Sequence, residues 1–236
     1  MRIEMQPAYV LHTRPYRESC LLVDILSRDH GRLTLLAKGA RKSANRNKQT
    51  IRHLLQPFLP VTLSWLGKGS LKVLSGVESC ASPIRFYEKR LYSAFYMNEI
   101  LTILLSQNDA SVEFYDFYAE AINQLANSED IEKVLRNFEF TLLELMGYGI
   151  DFHNDANTHE PLSAQSYYQF VADLGFIEAD AEQYSSVPVF SGDTIQCVAN
   201  NHLKDREVRR SAKAIARSAL KPHLNGKSLK SYELFK

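Results

Sequence analysis

The sequence has few cysteines and no long apolar run. Its three cysteines, Cys20, Cys80 and Cys197, lie far apart, which argues against a disulfide framework and suits a reducing cytoplasm. No apolar stretch reaches the roughly eighteen residues of a transmembrane helix. The first residues carry charges within their apolar part, so they do not have the pattern of a signal peptide.

Motifs of catalysis are also lacking. Neither G-x-S-x-G nor G-x-G-x-x-G occurs, and Gly226-Lys227-Ser228 is no P-loop because Lys221 stands where that motif requires glycine. His153 and His159 share a polar loop with three acids, but no cysteine pair or zinc spacing accompanies them. We therefore expect no enzyme, no cofactor and no metal. An ion bound in the loop 151–160 remains the alternative.

Charge is divided along the chain although the net charge is only +1. Residues 1–82 carry 13 Lys or Arg against 5 Asp or Glu, residues 83–202 carry 5 against 19, and residues 203–236 carry 10 against 3. A charge pattern of basic ends around an acidic middle gives information about the binding partners of a protein and not about its fold. This pattern favours a polyanion that contacts both ends.

The first cationic surface follows the third predicted strand. Between Lys38 and Arg52 there is no acid, and a run of like charge is usually solvated. Next to a strand, it also forms an arm suited to a phosphate backbone. We predict nucleic-acid contacts here, with an inert surface loop as the alternative, and the predicted residues are Lys38, Arg41, Lys42, Arg46, Lys48 and Arg52.

Residues 5–81 predict a small all-β unit. Apolar residues alternate or run continuously in five segments, with a hairpin turn at Asp29-His30-Gly31 and a tight turn at Gly67-Lys68-Gly69-Ser70. Five strands with one long loop between the third and fourth are typical of an OB-fold barrel. A twisted open sheet is the alternative.

From residue 83 the apolar period changes to that of a helix. Ser82 followed by Pro83 predicts a helix start, and Ser111, a residue near Ser128, and Ser191 predict three more. A short hairpin is expected at Tyr167 to Val171 and Phe176 to Glu178. We therefore predict an α+β protein of two domains: a basic OB-fold barrel at 1–82, and a helical domain at 83–236 that is acidic to about 202 and then basic.

The last predicted helix, from about Arg206 to Leu220, carries the second cationic surface. At about 100° per residue its cations fall within a stripe roughly 120° wide, opposite Val208, Ala212, Ile215 and Ala219. A solvated helix face usually intersperses acids, and here they stand only at the start. The stripe consists of Arg206, Arg209, Arg210, Lys213, Arg217 and Lys221.

Aromatic residues add a possible means of holding bases. Single-stranded nucleic acid binds where cations follow its backbone and aromatic rings accept unstacked bases. Tyr16 lies in a polar loop between Arg14 and Arg17, so we predict that these three residues contribute. Phe58 and Trp65 lie on an alternating strand, and core packing is the better explanation for them.

Five segments are spread along nearly the whole chain: AYVLHTRPYRESCLLVDILSRDHGRLTLLAKGARKS (Ala8 to Ser43), LLQPFLPVTLSWLGKGSLKVL (Leu54 to Leu74), YMNEIL (Tyr96 to Leu101), LRNFEFTLLELMGYG (Leu135 to Gly149) and ALKPHLNGKSLKSYELF (Ala219 to Phe235). In this order they resemble the RecO family of bacterial DNA repair proteins, the recombination mediators.

The resemblance implies an N-terminal OB-fold, a C-terminal helical domain, binding of single- and double-stranded DNA, and annealing of complementary strands. It implies two partners, RecR and the acidic C-terminal tail of the single-stranded-DNA-binding protein, with which the family helps load the RecA recombinase. For the tail we select Arg136, beside the Phe138 stripe. Its alternative is an exposed helix charge without a role.

Not all of the family picture transfers to this chain. Many members carry a four-cysteine zinc motif in the region equivalent to 150–200, where this chain has only Cys197, so we expect no zinc. We expect a monomer in the bacterial cytoplasm, associated with the nucleoid and without a membrane partner. A protein-binding adaptor and an RNA-binding OB protein are the alternative functions.

Overall fold

The computed structural model describes residues 2–41, 51–69, 71–179 and 188–235. The chain forms two compact units, Met1–Ser128 with Leu229–Lys236, and Glu129–Ser228. The predicted domains, 1–82 and 83–236, follow the change from strands to helices, whereas this division follows packing. Two helices and the segment from Leu229 belong with the barrel.

Five strands form a closed barrel in the order β1-β2-β3-β5-β4. All neighbours are antiparallel except β3 and β5, which pair in parallel at Leu35–Lys72 and Leu36–Val73. This order and this single parallel pair are those of an OB-fold, so the barrel prediction is confirmed against the open sheet. The strands are β1 (Arg2–Tyr16), β2 (Cys20–Ser27), β3 (Gly31–Ala37), β4 (Pro60–Leu66) and β5 (Lys72–Ser79).

Alternation along the strands fills the barrel. Inward positions on β2 and β3 are apolar and at most 8% exposed, as period-two strands with one buried face require. Trp65 lies in this core at 1% exposure, which confirms core packing for it. Pro60 is the first residue of β4, a position where proline removes no internal ladder bond.

The two longest helices among the described residues of the first unit are α1 (Glu88–Leu104) and α2 (Val112–Asn127). The predicted start at Ser82-Pro83 is wrong, since α1 begins five residues after Pro83 with Tyr87 at its N-cap. Ser111 caps α2 as predicted, accepting from the Phe114 amide at 3.3 Å. Asn98 ties α1 to the barrel by donating to the Leu11 carbonyl at 2.7 Å.

The segment from Leu229 packs on α1. Residues Lys230–Phe235 form a 3-10 helix, and the Glu99 carboxylate accepts from the amides of Lys230 and Ser231 at 2.8 and 2.9 Å. Tyr232 stacks on Tyr96 with ring centroids 5.8 Å apart. This segment is therefore an integral part of the first unit.

The described residues of the second unit form three α-helices, a short 3-10 helix at Pro222–Leu224 and a small sheet. Asp130 caps its first helix and Ser191 its second, and each side chain accepts from the amide three residues further along. The predicted start near Ser128 is thus two residues early, and the predicted cap at Ser191 is confirmed. The sheet order is β7-β6-β8, so the predicted hairpin is confirmed with an added strand. The elements are α3 (Ile131–Leu145), β6 (Tyr167–Val171), β7 (Gly175–Glu178), β8 (Val189–Ser191), α4 (Gly192–Ala199) and α5 (Arg206–Leu220).

Candidate nucleic-acid interface

Hydrogen bonds bring the β1–β2 turn and the start of the basic loop together. The Arg41 amide donates to the Ser19 carbonyl at 3.1 Å, and the Arg41 guanidinium donates to the Arg17 carbonyl at 3.0 Å. The strand register also places Ala37 opposite Leu21. Five predicted residues consequently share one end of the barrel, which we call the barrel-end cluster: Arg14, Tyr16, Arg17, Lys38 and Arg41.

The barrel-end cluster combines exposed cations with an aromatic ring. Arg14, Arg17, Lys38 and Arg41 are all exposed, and Tyr16 is half-buried. The Arg17 guanidinium carbon lies 5.3 Å from the centroid of the Tyr16 ring, within the range of a cation–π contact. Arg17 thus holds the ring in a defined position while its own charge stays at the surface.

The hydrogen-bond donors and cations around Cys20 favour negative charge at this end of the barrel. Its pKa is lowered from the ordinary thiol value, first by the backbone N–H of Gly39 and further by the Ser19 hydroxyl, Arg17 and Lys38. Donors and positive charges favour a thiolate. The same groups would favour a phosphate oxygen placed nearby.

The remainder of the predicted basic loop is only partly described. Lys42, Arg46 and Lys48 lie outside the described residues. Arg52 is exposed on a helical turn, where its carbonyl accepts from the Gln56 side chain at 3.0 Å. Lys68, exposed in the β4–β5 turn, is a cation that the sequence prediction did not include.

The stripe on the last helix is present with the predicted bounds. Its exposed members are Arg206, Arg210, Lys213, Arg217 and Lys221. Burial lowers the pKa of Lys213, and the nearby charges of Arg217 and Arg136 add to this effect. The exposed cations of this helix are suited to contact with a polyanion.

Arg209 departs from the stripe prediction. Its guanidinium donates to both Asp130 carboxylate oxygens at 2.7 and 2.6 Å and to Glu132 at 3.4 Å. A bidentate pair of this kind has fixed geometry, so Arg209 anchors α5 to the start of α3 instead of facing a ligand. We name the five exposed members the α5 stripe.

The Asp130–Arg209 pair predicts an acid-sensitive contact. Hydrogen bonds from Arg209, opposed by desolvation and aided by the Lys133 amide, hold the pKa of Asp130 below its ordinary value. A lowered pKa contributes stability above the unfolded value, and this is lost as pH falls through the folded one. We expect wild-type stability to fall more steeply than that of Asp130→Asn below about pH 4. Urea unfolding at pH 6 and 3 measures this.

Asp205→Asn is the control for that experiment. Asp205 is exposed and its side chain makes no cap bond to α5, so its replacement removes a carboxylate while keeping the Arg209 pair. Equal acid sensitivity of Asp130→Asn and the wild type would contradict the importance of the Arg209 pair.

Arg136 is neither an exposed helix charge nor an open anion site. Its side chain is 8% exposed and donates to Glu139, which is fully buried, at 2.5 Å. Among the described residues its Nε has no hydrogen-bond partner. Lys213, an exposed cation of α5, lies near enough to Arg136 and Glu139 to interact with their charges.

In the loop 151–160, acidic side chains hold the backbone. Asp151 accepts from the amides of His153 and Asn154 at 2.7 and 3.2 Å. Asp155, 5% exposed, accepts from the amides of Asn157, Thr158 and Glu178. Within the described part of the chain no group of three or more potential ligands is placed to hold a metal ion, and no helix there has the length and apolarity to cross a membrane.

Two family models match this chain. One, described as recombination protein O N terminal, matches residues 1–83, and the other, recombination protein O C terminal, matches residues 88–233. The chain belongs to the RecO family. Neither model describes a catalytic family.

Relatives of this RecO-family chain are similar over nearly their whole length. DNA repair protein RecO from Glaesserella parasuis is 40% identical over 98% of this chain and 95% of the relative. The proteins of the same name from Haemophilus influenzae and Cellvibrio japonicus are 39% and 38% identical over 100% of this chain and 97% and 98% of the relatives. The predicted family and its place in DNA repair and recombination are confirmed.

Proposed function

We propose that this RecO-family chain binds single- and double-stranded DNA, anneals complementary strands and acts with RecR to load the RecA recombinase on DNA coated with single-stranded-DNA-binding protein. The barrel-end cluster carries the proposal, since it presents four exposed cations around one aromatic ring. Family membership supports the same function. A mediator of this kind works in the cytoplasm at the nucleoid.

Annealing requires no covalent chemistry. Two polyanions must approach while their charge is neutralised and their bases stay accessible. Cations on the barrel-end cluster neutralise phosphates, and the Tyr16 ring accepts an unpaired base, an interaction of about 1–3 kcal/mol per base. This division leaves the base edges free to pair.

The α5 stripe suits a longer stretch of backbone. Its cations follow one another at intervals of three or four residues, so at about 1.5 Å per residue the stripe extends about 22 Å along the helix. One strand of duplex DNA carries a phosphate about every 3.4 Å along its axis. The stripe therefore matches several consecutive phosphates of one strand.

For the acidic tail of the single-stranded-DNA-binding protein, we place the contact at Lys213 and not at Arg136 itself. Arg136 is paired with the buried Glu139, whereas Lys213 is exposed and can contact a carboxylate of the tail. Loss of tail-peptide binding in Lys213→Ala, with the fold unchanged, tests this assignment.

We expect DNA binding to depend steeply on salt. If about six phosphates of a single strand are neutralised, the log–log slope is about −4. Arg210→Ala removes one exposed cation and should reduce the slope by about 0.7, equally for all sequences, because phosphate contacts carry no sequence information. Fluorescence anisotropy with labelled oligonucleotides at several salt concentrations measures it.

Arg209→Ala is the matched control, since this neighbouring arginine is already paired with Asp130. It should leave the slope of the wild type unchanged. A wild-type slope near zero would overturn the proposal, and stronger binding to RNA than to DNA of equal length would favour an RNA-binding protein. An annealing assay on coated DNA, with and without the acidic tail, tests mediation itself.

A further inference from the structure

One half of the outer face of β2 and β3 is covered by another part of the chain. In OB-folds this face, bounded by the β1–β2 and β4–β5 loops, binds nucleic acid. Its outward residues form three cross-strand rows: Leu26 with Arg32, Asp24 with Thr34, and Leu22 with Leu36. Asp24 and Thr34 are only 6% and 8% exposed although they point away from the core, so something covers them.

The connection between α1 and α2 is that cover. The Asn108 amide donates to the Arg32 carbonyl at 2.7 Å, and the Arg32 side chain donates to the Leu105 carbonyl at 2.7 Å. Gln107 pairs with Arg32 as a parallel β-bridge and donates to the Thr34 hydroxyl at 3.4 Å. The chain's own backbone therefore fills the half of the face near the β2–β3 turn.

Cations on the covered half are engaged within the unit. Lys72 donates to the Asn108 side chain at 2.6 Å, and Arg28 lies 3.5 Å from the Asp116 carboxylate. The β4–β5 turn lies in this half, because β5 begins at Lys72 and runs parallel to β3. In addition, the ring centroids of Trp65, near the end of β4, and His30, in the β2–β3 turn, are 5.3 Å apart.

Among the residues that the structure describes, no such cover lies over the other half. Leu22 and Leu36 are half-buried there, and they lie beside the exposed cations of the barrel-end cluster. We propose that single-stranded DNA crosses only this half of the barrel face, over Leu22 and Leu36 and against Tyr16, and does not reach the β4–β5 turn. This rests on the proposed DNA binding and restricts it. The barrel site then lies near the lower end of the roughly 4–16 nucleotides that OB-folds occupy.

Two exposed lysines distinguish the half-face path from a full crossing. Lys38 lies at the open end and Lys68 in the β4–β5 turn, and both are exposed, so alanine at either should leave the fold intact. Lys38→Ala should reduce the salt slope for a single-stranded oligonucleotide by about 0.7. Lys68→Ala should leave it unchanged. Anisotropy titrations of the full chain measure both slopes.

The outcomes separate the path from the function. A slope reduced equally by Lys68→Ala and Lys38→Ala would overturn the half-face path while leaving DNA binding in place, and so would an unchanged slope in Lys38→Ala. No DNA binding by the wild type would overturn the proposed function itself. Leu22→Lys gives a second measurement, since a cation added on the open half should make the slope steeper by about 0.7; an unchanged slope there would also contradict the path.

Discussion

Alanine in place of Gly31 is expected to destabilise the first unit by about 2–4 kcal/mol. Gly31 has a φ of +65°, a conformation that costs an L-residue about 1–2 kcal/mol. A Cβ at this position would also overlap the carbonyl oxygen of Asp109, which is backbone in the α1–α2 connection. Relief would require that connection to move off the barrel.

Trp65 provides the measurement, because it is the single tryptophan of the chain and lies in the barrel core. Urea unfolding followed by its fluorescence should give the loss for Gly31→Ala. Gly147→Ala, followed by far-ultraviolet circular dichroism, is the control, since Gly147 has a φ of +82° and an added Cβ would meet no described atom within 4 Å. Its loss should stay near the backbone cost of about 1–2 kcal/mol. Equal losses at both positions would contradict close packing at Asp109.

Alanine in place of Arg136 is expected to destabilise the second unit by about 3–5 kcal/mol. The Glu139 carboxylate, fully buried on the same helix, would lose its 2.5 Å partner. A buried carboxylate that loses an ion-pair partner is far more costly than an exposed one. Urea unfolding followed by far-ultraviolet circular dichroism reports the loss.

Two further variants sharpen this prediction. Lys133→Ala changes a partly exposed cation on the same helix, and its effect should stay within about 0.5 kcal/mol. Combining Arg136→Met with Glu139→Leu removes both buried charges and should recover most of the stability. A double variant as unstable as Arg136→Ala would show that packing, and not the broken ion pair, causes the loss. Because Arg136→Ala is expected to destabilise the unit, Lys213→Ala is the better test of tail binding.

Regular patterns in the sequence predicted most of the fold. Alternation and turn residues fixed the five barrel strands, and the apolar period of Val208 to Ala219 fixed the last helix. The start of α1 was misplaced because Ser82-Pro83 has the local pattern of a helix start, but residues 82–87 form no regular secondary structure. Tyr87 is extended, and the helix begins at Glu88.

The sequence predicted those residues of the candidate site whose charges are clustered along the chain, but not those whose partners are distant in sequence. The barrel-end cations were found from composition alone. Arg209 was assigned to the stripe because its partner Asp130 lies 79 residues away in sequence, beyond any periodicity. Arg136 and Glu139 have the i,i+3 spacing of an ordinary surface pair, and only packing shows that both are buried.

The hydrogen bonds from the Lys230 and Ser231 amides to Glu99 affect the order in which the chain folds. The first unit is built from sequence on both sides of residues 129–228, so its contacts with the 3-10 helix at Lys230–Phe235 span more than a hundred residues. Contacts of such long sequence separation form late and slow the search for the native state. During synthesis the barrel and the second unit emerge first, and the first unit is completed only when the segment from Leu229 becomes available to α1.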